Sequence, residues 1–388
     1  MSAFLEFHIV QNFAPSNLNR DDTGSPKDAF FGGHRRARVS SQCLKKSVRD
    51  YFKTSGLVEN NNLGVRTQHL DRVLKDALDG IGVKNTSFFN EFVKLALKKN
   101  DADEERITSG SNSKNKLASL LFISATEIEK LIELINVHKG ILLNLAEKTK
   151  LKQKEIPENF KKELKELLRH SKAVDVALFG RMLADFPKAN QDAAFQVAHA
   201  ISTHRVEREF DYFTAVDDKS TEEETGAGMI GQVEFNSATF YRYAVLDVQK
   251  LLVNLQGDKE LTLSAVTALT ESLVRAIPTG KQNSFAAHNA PEFVGISLRH
   301  AAPLSLANAF EKPVTPRVDR ELTVQSVEKL ADYNNKLSAV YGDDKDRWEV
   351  LDLTEGGVWP KGNGKNKAKN LKELASKARE LAETVLGV

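Results

Sequence analysis

The chain has 388 residues, 41% apolar and 28% charged, a balance typical of soluble globular proteins and not of disordered or fibrous ones. Its 55 Lys and Arg against 53 Asp and Glu leave a formal net charge of +2, so bulk charge gives no argument for a nucleic-acid partner. A single cysteine, Cys43, excludes an internal disulfide and predicts a reducing, cytoplasmic environment. No signal peptide or membrane span is predicted, because the N-terminus lacks a basic region and no eighteen apolar residues run together.

The N-terminal region predicts a strand, a long loop and a helix. Alternation over residues 3–10 predicts a half-buried strand. Its core side carries Leu5, Phe7 and Ile9. A loop over 12–39 follows, and Ser40 or Ser41 then offers an N-cap to a helix that runs to about Phe52.

The middle of the chain predicts a helical insertion over 59–181, whose dense charge is expected on solvated helix faces. Strand patterns return at 196–206 and 233–246, separated by a polar excursion over 207–232. The remaining predicted elements are a helix over 261–277, a strand over 293–298 and a helix over 371–385.

Without its insertions the predicted order is strand, helix, strand, strand, helix, strand. This is the ferredoxin-like order of an α+β fold, shared by RNA-recognition modules whose sheet face contacts single-stranded RNA. Many unrelated functions use the fold, so the element order alone does not decide between them.

Basic residues are concentrated in the segment 20–53, which holds nine Lys or Arg against four Asp. On the predicted helix, Gln42, Lys45 and Arg49 share one face, and the first-turn amides add donors that favour phosphate. A glycine pair, Gly32-Gly33, precedes a basic run and suits close approach by an anion. That run contains Arg35, Arg36 and Arg38.

Other motifs give weaker predictions. The stretch Gly226–Gly231 matches a dinucleotide-binding pattern by letter, but an acidic loop precedes it and a strand follows it, so no cofactor is predicted. Asp21, Asp22 or His34 could serve a nuclease as base or metal ligand, although loop carboxylates beside cations are more often structural. No catalytic residue and no metal site are predicted.

Two aromatic residues, Tyr212 and Phe213, flank the acidic loop with no evident core to enter. They could stack on a base or pack on a neighbouring copy.

Ten motifs, taken in this order, carry a family resemblance: Leu18–Asp22, Lys27–Ala29, Gly32–Arg38, Ser40–Gln42, Leu44–Lys45, Gly180–Met182, Ala198–Ile201, Phe213–Asp218, Phe240–Ala244 and Asn308–Lys312. The sequence resembles the CasC family, the backbone subunits of the type I-E CRISPR complex called Cascade. The resemblance implies an α+β fold with an RRM-like palm (1–58, 182–206 and 233–388), a helical fingers insertion (59–181) and a thumb hairpin (207–232) that reaches the next copy.

The resemblance also implies roles for particular residues. Phosphates and sugars of the guide would be held by Arg20, Lys27, Ser40, Gln42, Lys45 and Arg49. Met182 of the fingers, with Phe213 and Thr214 of the thumb, would wedge a kink in the strand. The full set of candidate RNA-binding residues also includes Arg35, Arg36, Arg38, Lys46 and Tyr212.

The implied function is that of a non-catalytic subunit that coats a CRISPR guide RNA (crRNA) in antiviral defence. Its expected partners are the crRNA, target DNA paired with that guide, other Cascade subunits and further copies of itself, six being expected, in a head-to-tail filament, with no membrane. Two alternatives stay open: a metal-dependent RNase that uses Asp21 and Asp22, and a free-standing module that binds single-stranded RNA as a monomer.

Overall fold

A computed structural model describes residues 3–98, 116–117, 120–148, 151–169, 171–183, 186–215, 229–354, 357, 359 and 367–388. The chain divides into two compact units. The first comprises Met1–Thr54, Gln196–Gln249 and Val266–Val388, and the second Ser55–Phe195 and Lys250–Ala265. The second unit therefore contains, besides the region of the predicted fingers, three stretches that the sequence-based division places in the palm: 55–58, 182–195 and 250–265.

The described strands are β1 (Phe4–Ser16), β2 (Asp28–Phe31), β3 (His34–Val39), β4 (Gly64–Thr67), β5 (Leu121–Ser124), β6 (Phe195–Val197), β7 (Ala200–Ser202), β8 (Glu209–Ala215), β9 (Met229–Asp247), β10 (Phe293–Arg299) and β11 (Arg347–Asp352). The described α-helices are α1 (Ser41–Ser55), α2 (Leu70–Val73), α3 (Lys75–Gly80), α4 (Phe88–Leu97), α5 (Ala125–Val137), α6 (Lys139–Ala146), α7 (Glu158–Leu167), α8 (Val174–Phe179), α9 (Val248–Asn254), α10 (Lys259–Arg275), α11 (Gln282–Phe285), α12 (Leu322–Tyr341) and α13 (Leu371–Leu386).

One large sheet forms the centre of the first unit, in the order β11-β10-β1-β9-β7-β3-β2. The long strand β1 pairs antiparallel with both β9 and β10, and β10 pairs antiparallel with β11. Helices and antiparallel strands are mixed in this way throughout the unit, which confirms the predicted α+β class. The predicted strand 196–206 is interrupted and forms two short strands, β6 and β7.

The prediction that β1 is half-buried is wrong, because residues from Leu5 to Gln11 are buried on both faces of the sheet. On one face Phe7 and Ile9 line a small cavity with Leu44 and Val48 of α1. On the other face Glu6 and His8 are fully buried. A sheet covered on both sides at its central strand offers no open platform there for stacking RNA bases.

The buried carboxylate of Glu6 explains how a polar residue is tolerated in this position. It accepts hydrogen bonds from Tyr243 Oη (2.6 Å), Ser297 Oγ (2.7 Å), Arg299 Nε (2.9 Å) and the Leu304 amide (2.6 Å). Burial raises the pKa of Glu6, but the neighbouring His8, followed by the hydrogen bonds from Tyr243 and Ser297, outweighs that effect and holds the pKa at about 2. Glu6 is therefore ionised at neutral pH and fully paired.

Arg299 extends the same network across the sheet. Its guanidinium also donates to Asp346 (2.9 Å) and to Asn334 of α12 (3.1 Å), and it lies 5.6 Å from the Trp348 ring. Because strands β1, β10 and β11 and helix α12 all contribute a group, the network joins the elements that close this face.

We predict that Glu6→Gln lowers the free energy of unfolding by about 3–5 kcal/mol, since it removes the charge that faces a buried guanidinium. The stabilisation by the Glu6 carboxylate is fully present above pH 4.5, the ordinary pKa of the group, and is lost as the pH falls towards 2. Between these two values the carboxyl group takes up a proton in the unfolded chain but not in the folded one. Urea denaturation between pH 2 and pH 7 measures both effects.

The matched control is Glu207→Gln, which removes an exposed pair with Arg205 and is expected to cost below about 1 kcal/mol. Equal losses for the two variants, or an unchanged acid dependence in Glu6→Gln, would contradict a structural role for the Glu6 network.

The second unit is mainly helical, as predicted for the insertion, and also contains the two-stranded sheet β4–β5. Its apolar core is formed chiefly by side chains of α2 to α7. A buried ion pair joins Arg181 to Glu127 (2.8 Å), and Arg181 also donates to the carbonyls of Phe122 (3.1 Å) and Ala189 (3.1 Å). In the part of the chain that the structure describes, no helix is both long and apolar enough to cross a membrane.

Candidate nucleic-acid interface

The N-terminus of α1 is held in place by Asn19. The Asn19 side-chain oxygen accepts from the Ser40 amide (2.9 Å), and its backbone carbonyl accepts from the Lys27 amide (2.9 Å). Ser40 Oγ in turn accepts from the Cys43 amide (3.3 Å), so Ser40, one of the two predicted candidates, is the N-cap. The loop that carries Arg20 and Lys27 is therefore fixed against the first turn of the helix.

Helix α1 separates an apolar face from a polar one. Leu44, Val48 and Phe52 are buried, whereas Gln42 and Lys46 are exposed and Lys45 and Arg49 are half-buried. Partial burial lowers the pKa of Lys45. Lys46 forms an exposed ion pair with Asp50. The polar face thus presents cations along the helix, as the three-then-four spacing predicts.

A second group of cations lies beside the first turn of α1. Arg38 of β3 donates from Nε to the Asp28 carbonyl (3.0 Å), and its Nη1 lies 2.9 Å from Nδ1 of His199. Burial, together with the charges of Arg38 and Lys27, lowers the pKa of His199. The neutral imidazole can therefore accept from Arg38 and orient it. The cations of these two groups form a basic strip: Lys27, Arg38, Lys45, Lys46 and Arg49.

The hairpin β2–β3 projects an aromatic ring and a further cation. Phe30 is 72% exposed, and the Arg35 guanidinium lies 5.5 Å from the centre of its ring. Arg35 also pairs with Asp28, which pairs in addition with Arg208 (2.8 Å). Arg208 reaches Glu234 of β9 (3.1 Å) as well, so these ion pairs connect the hairpin with the start of β8.

Arg36 requires a correction, because it does not belong to the exposed basic surface. Its side chain is fully buried and donates to the carbonyls of Ser202 (2.9 Å), Phe310 (2.6 Å) and Glu311 (3.2 Å). The prediction that Arg36 contacts RNA is wrong for this arrangement, since its donors already bind three backbone oxygens. Its role is to attach β3 to the segment around Phe310.

This division between neighbouring arginines can be tested by stability measurements. We predict that Arg36→Ala lowers the free energy of unfolding by about 3 kcal/mol, because it leaves buried carbonyls without donors. Arg35→Ala is expected to change it by less than about 1 kcal/mol, since the Arg35–Asp28 pair is largely exposed. Guanidinium denaturation of both variants gives the comparison, and similar losses would refute the assignment of Arg36 to the interior.

The predicted thumb contains an antiparallel hairpin in which β8 pairs with Met229–Phe235 of β9. Phe210 and Tyr212 lie on one face of β8 and are 53% and 70% exposed. Phe213 lies on the other face and covers Gly231, where an added Cβ would be 2.3 Å from the ring. Gly231 thus lies inside a strand, beneath the Phe213 ring, and Gly226–Gly228 lie outside the described residues.

The remaining candidates are placed as follows. Thr214 is exposed on β8, Arg20 is exposed in the loop before β2, and Met182 is 79% exposed in the second unit. Because Met182 and Phe213 belong to different units, their joint wedge stays a prediction.

The carboxylate of Asp21 is engaged within its own turn. It accepts from Thr23 Oγ1 (2.7 Å), the Thr23 amide (2.9 Å) and the Ser25 amide (3.0 Å). These hydrogen bonds, with that of the Thr23 hydroxyl first, lower the pKa of Asp21. Among the described residues no three His, Cys, Asp or Glu side chains converge as a metal site would require.

Comparison with known proteins places the chain in a family. A family model described as CT1975-like protein matches residues 5–377. The protein belongs to the CT1975-like family. No curated protein matches the CT1975-like chain.

Two solved chains are similar to this CT1975-like protein. One, from "CRISPR RNA-guided surveillance complex, pre-nicking", has a TM-score of 0.84 and 29% identity, covering 98% of this chain and 100% of its own. Another, from "CRISPR RNA-guided surveillance complex", has a TM-score of 0.72 and 24% identity over 97% and 99%, a likeness of fold alone. These findings agree with the resemblance at the coarser level of a Cascade-type CRISPR subunit, whereas type I-E and CasC membership stay predictions.

Four residues beside the candidate contacts of this CT1975-like protein were not predicted from the sequence to take part: Phe30, His199, Arg208 and Phe210. Phe30 and Phe210 could have been noted as aromatics next to charged residues. His199 and Arg208 acquire their partners only through the pairing of β3 with β7 and the approach of β8 to Asp28, which no local pattern shows.

Proposed function

We propose that this chain coats a single-stranded guide RNA in a Cascade-type surveillance complex, as a non-catalytic subunit present in several adjacent copies. The observation that carries the proposal is the basic strip, whose cations follow α1 and flank its capped first turn. Contacts with phosphates give affinity that does not depend on sequence, which suits a protein that must accept any guide. The similarity to a chain of a CRISPR RNA-guided surveillance complex, at 29% identity, supports the same assembly.

The aromatic residues of the thumb hairpin supply a second part of the proposal. Phe210 and Tyr212 are too exposed to serve a core, and large apolar side chains of this kind stack on bases or unstack them at a cost of roughly a few kcal/mol. In this proposal the thumb of one copy folds over the strand towards the next copy. Copies would then follow each other head to tail, an open arrangement that other subunits terminate.

The finer features of the proposal come from the family resemblance. They are a type I-E complex, six copies in the filament, a cytoplasmic location and recognition of target DNA through pairing with the guide. Base pairing would select the target, while the protein supplies charge and geometry.

The decisive test is co-expression of the chain with a CRISPR repeat-spacer transcript and its neighbouring genes, followed by native mass spectrometry and sequencing of the bound RNA. Several copies on one intact guide are expected. Combined replacement of Lys27, Lys45 and Arg49 by Glu is expected to abolish RNA recovery, because it reverses three charges of the basic strip.

The control replaces Lys336, Lys345 and Lys372 by Glu, three exposed lysines of the same unit outside the basic strip. This variant has the same change in net charge and is expected to retain the RNA. A monomer free of RNA would support neither coating nor assembly, and cleavage at regular steps that depends on Asp21 and Asp22 would establish the nuclease instead.

A further inference from the structure

The turn 278–290, between α10 and β10, contains an unusual backbone conformation. Lys281 has φ 51° and Ala286 has φ 46°, so both lie in the left-handed region that disfavours residues with a side chain. They are two of the three non-glycine residues with positive φ in the described part of the chain. Such conformations persist where the surroundings impose them, and they concentrate at ligand-binding sites.

The surroundings do impose this conformation. Gln282 Nε2 donates to the carbonyls of Pro278 (2.9 Å) and Ala287 (3.3 Å), which ties the two ends of the turn together. Gln11 of β1 donates to the Asn289 carbonyl (2.7 Å), and Ala287 is buried. The backbone of the turn is therefore anchored from within and from the sheet.

The turn lies directly beside the loop that leads to the basic strip. An added Cβ at Gly280 would be 2.3 Å from the Leu18 carbonyl, so the two backbones are in close contact. The neighbouring Asn17 donates to the carbonyls of Gly24 (3.0 Å) and Glu234 (2.8 Å), which connects this place with the Arg20 loop and the thumb hairpin. The Phe285 ring lies 5.6 Å from that of Phe235 in β9.

The outward side chains of the turn are hydrogen-bond donors, and the first acid that follows them in the sequence is Glu292. Asn283, Ser284 and His288 are exposed and Lys281 is half-exposed, and residues 278–290 include no Asp or Glu. An ammonium, an amide and a hydroxyl together suit the phosphates and 2′-hydroxyls of RNA.

We propose that the turn 278–290 is a second RNA-contacting element, in which Lys281 binds a phosphate and Asn283 and Ser284 bind the adjoining sugar or phosphate. The contacted nucleotides are those between the Arg20 loop and the base of the thumb hairpin. This inference rests on the proposed function, because the ligand is the same single strand that the basic strip holds.

The test compares Lys281→Ala and Lys281→Gly for binding to a fluorescent oligouridine across a series of salt concentrations. Both variants are expected to bind about fivefold more weakly at 0.1 M salt, with a log–log salt slope shallower by about 0.7, the effect of one lost phosphate contact on a single strand. Lys281→Gly also relieves the positive φ, so its thermal stability should equal or exceed that of the wild type. Lys372→Ala, on α13, is the control and should leave affinity and slope unchanged.

The possible results separate this inference from the function on which it rests. Unchanged affinity in both Lys281 variants, with binding lost on replacement of Lys27, Lys45 and Arg49 by Glu, overturns the role of the turn alone. Absence of binding by the wild type overturns the proposed function. If the Lys281 variants bind the first copy to RNA with unchanged affinity but fail to bind a second copy on a longer RNA, the turn mediates a contact between copies. That result also overturns the inference.

Discussion

The buried carboxylate of Glu6 accepts four hydrogen bonds and so allows polar residues of β1 to face the interior of the first unit. Its partners come from β9, β10 and the segment after β10, and Arg299 continues the network to α12. Because the opposite face of β1 packs on α1, the central strand is enclosed on both sides. The usual RNA surface of a ferredoxin-like sheet is thereby occupied, and a ligand must use the edges of the unit.

Three elements at those edges provide the required chemistry. The first turn of α1 presents backbone donors and the basic strip, the hairpin β2–β3 presents Phe30 and Arg35, and the thumb hairpin presents Phe210 and Tyr212. Three polar residues connect these elements. Asn19 accepts from the amide of Ser40, Asn17 donates to the carbonyl of Glu234, and Asp28 forms an ion pair with Arg208. A chain of small polar residues thus fixes the relative positions of exposed cations and aromatics, which suits a ligand whose backbone repeats and whose bases vary.

Sequence patterns predicted the local features of this arrangement well. The helix α1, a cap at Ser40 or Ser41 and the cationic face follow from the local sequence, because a helix period and a capping residue are local properties. The burial of Glu6 could not be predicted, since its partners Tyr243 and Arg299 lie more than two hundred residues away in the chain. Neighbouring Arg35 and Arg36 have the same chemistry, and only the approach of Phe310 shows that one is internal and the other exposed.

The central claim is that copies of this chain follow one another along a single RNA strand. The most direct measurement is native mass spectrometry of the purified chain with single-stranded RNAs of increasing length. The number of bound copies is expected to rise in steps, with one further copy for each fixed increment of nucleotides. A single bound copy at every length, or binding that does not depend on RNA length, would contradict the claim.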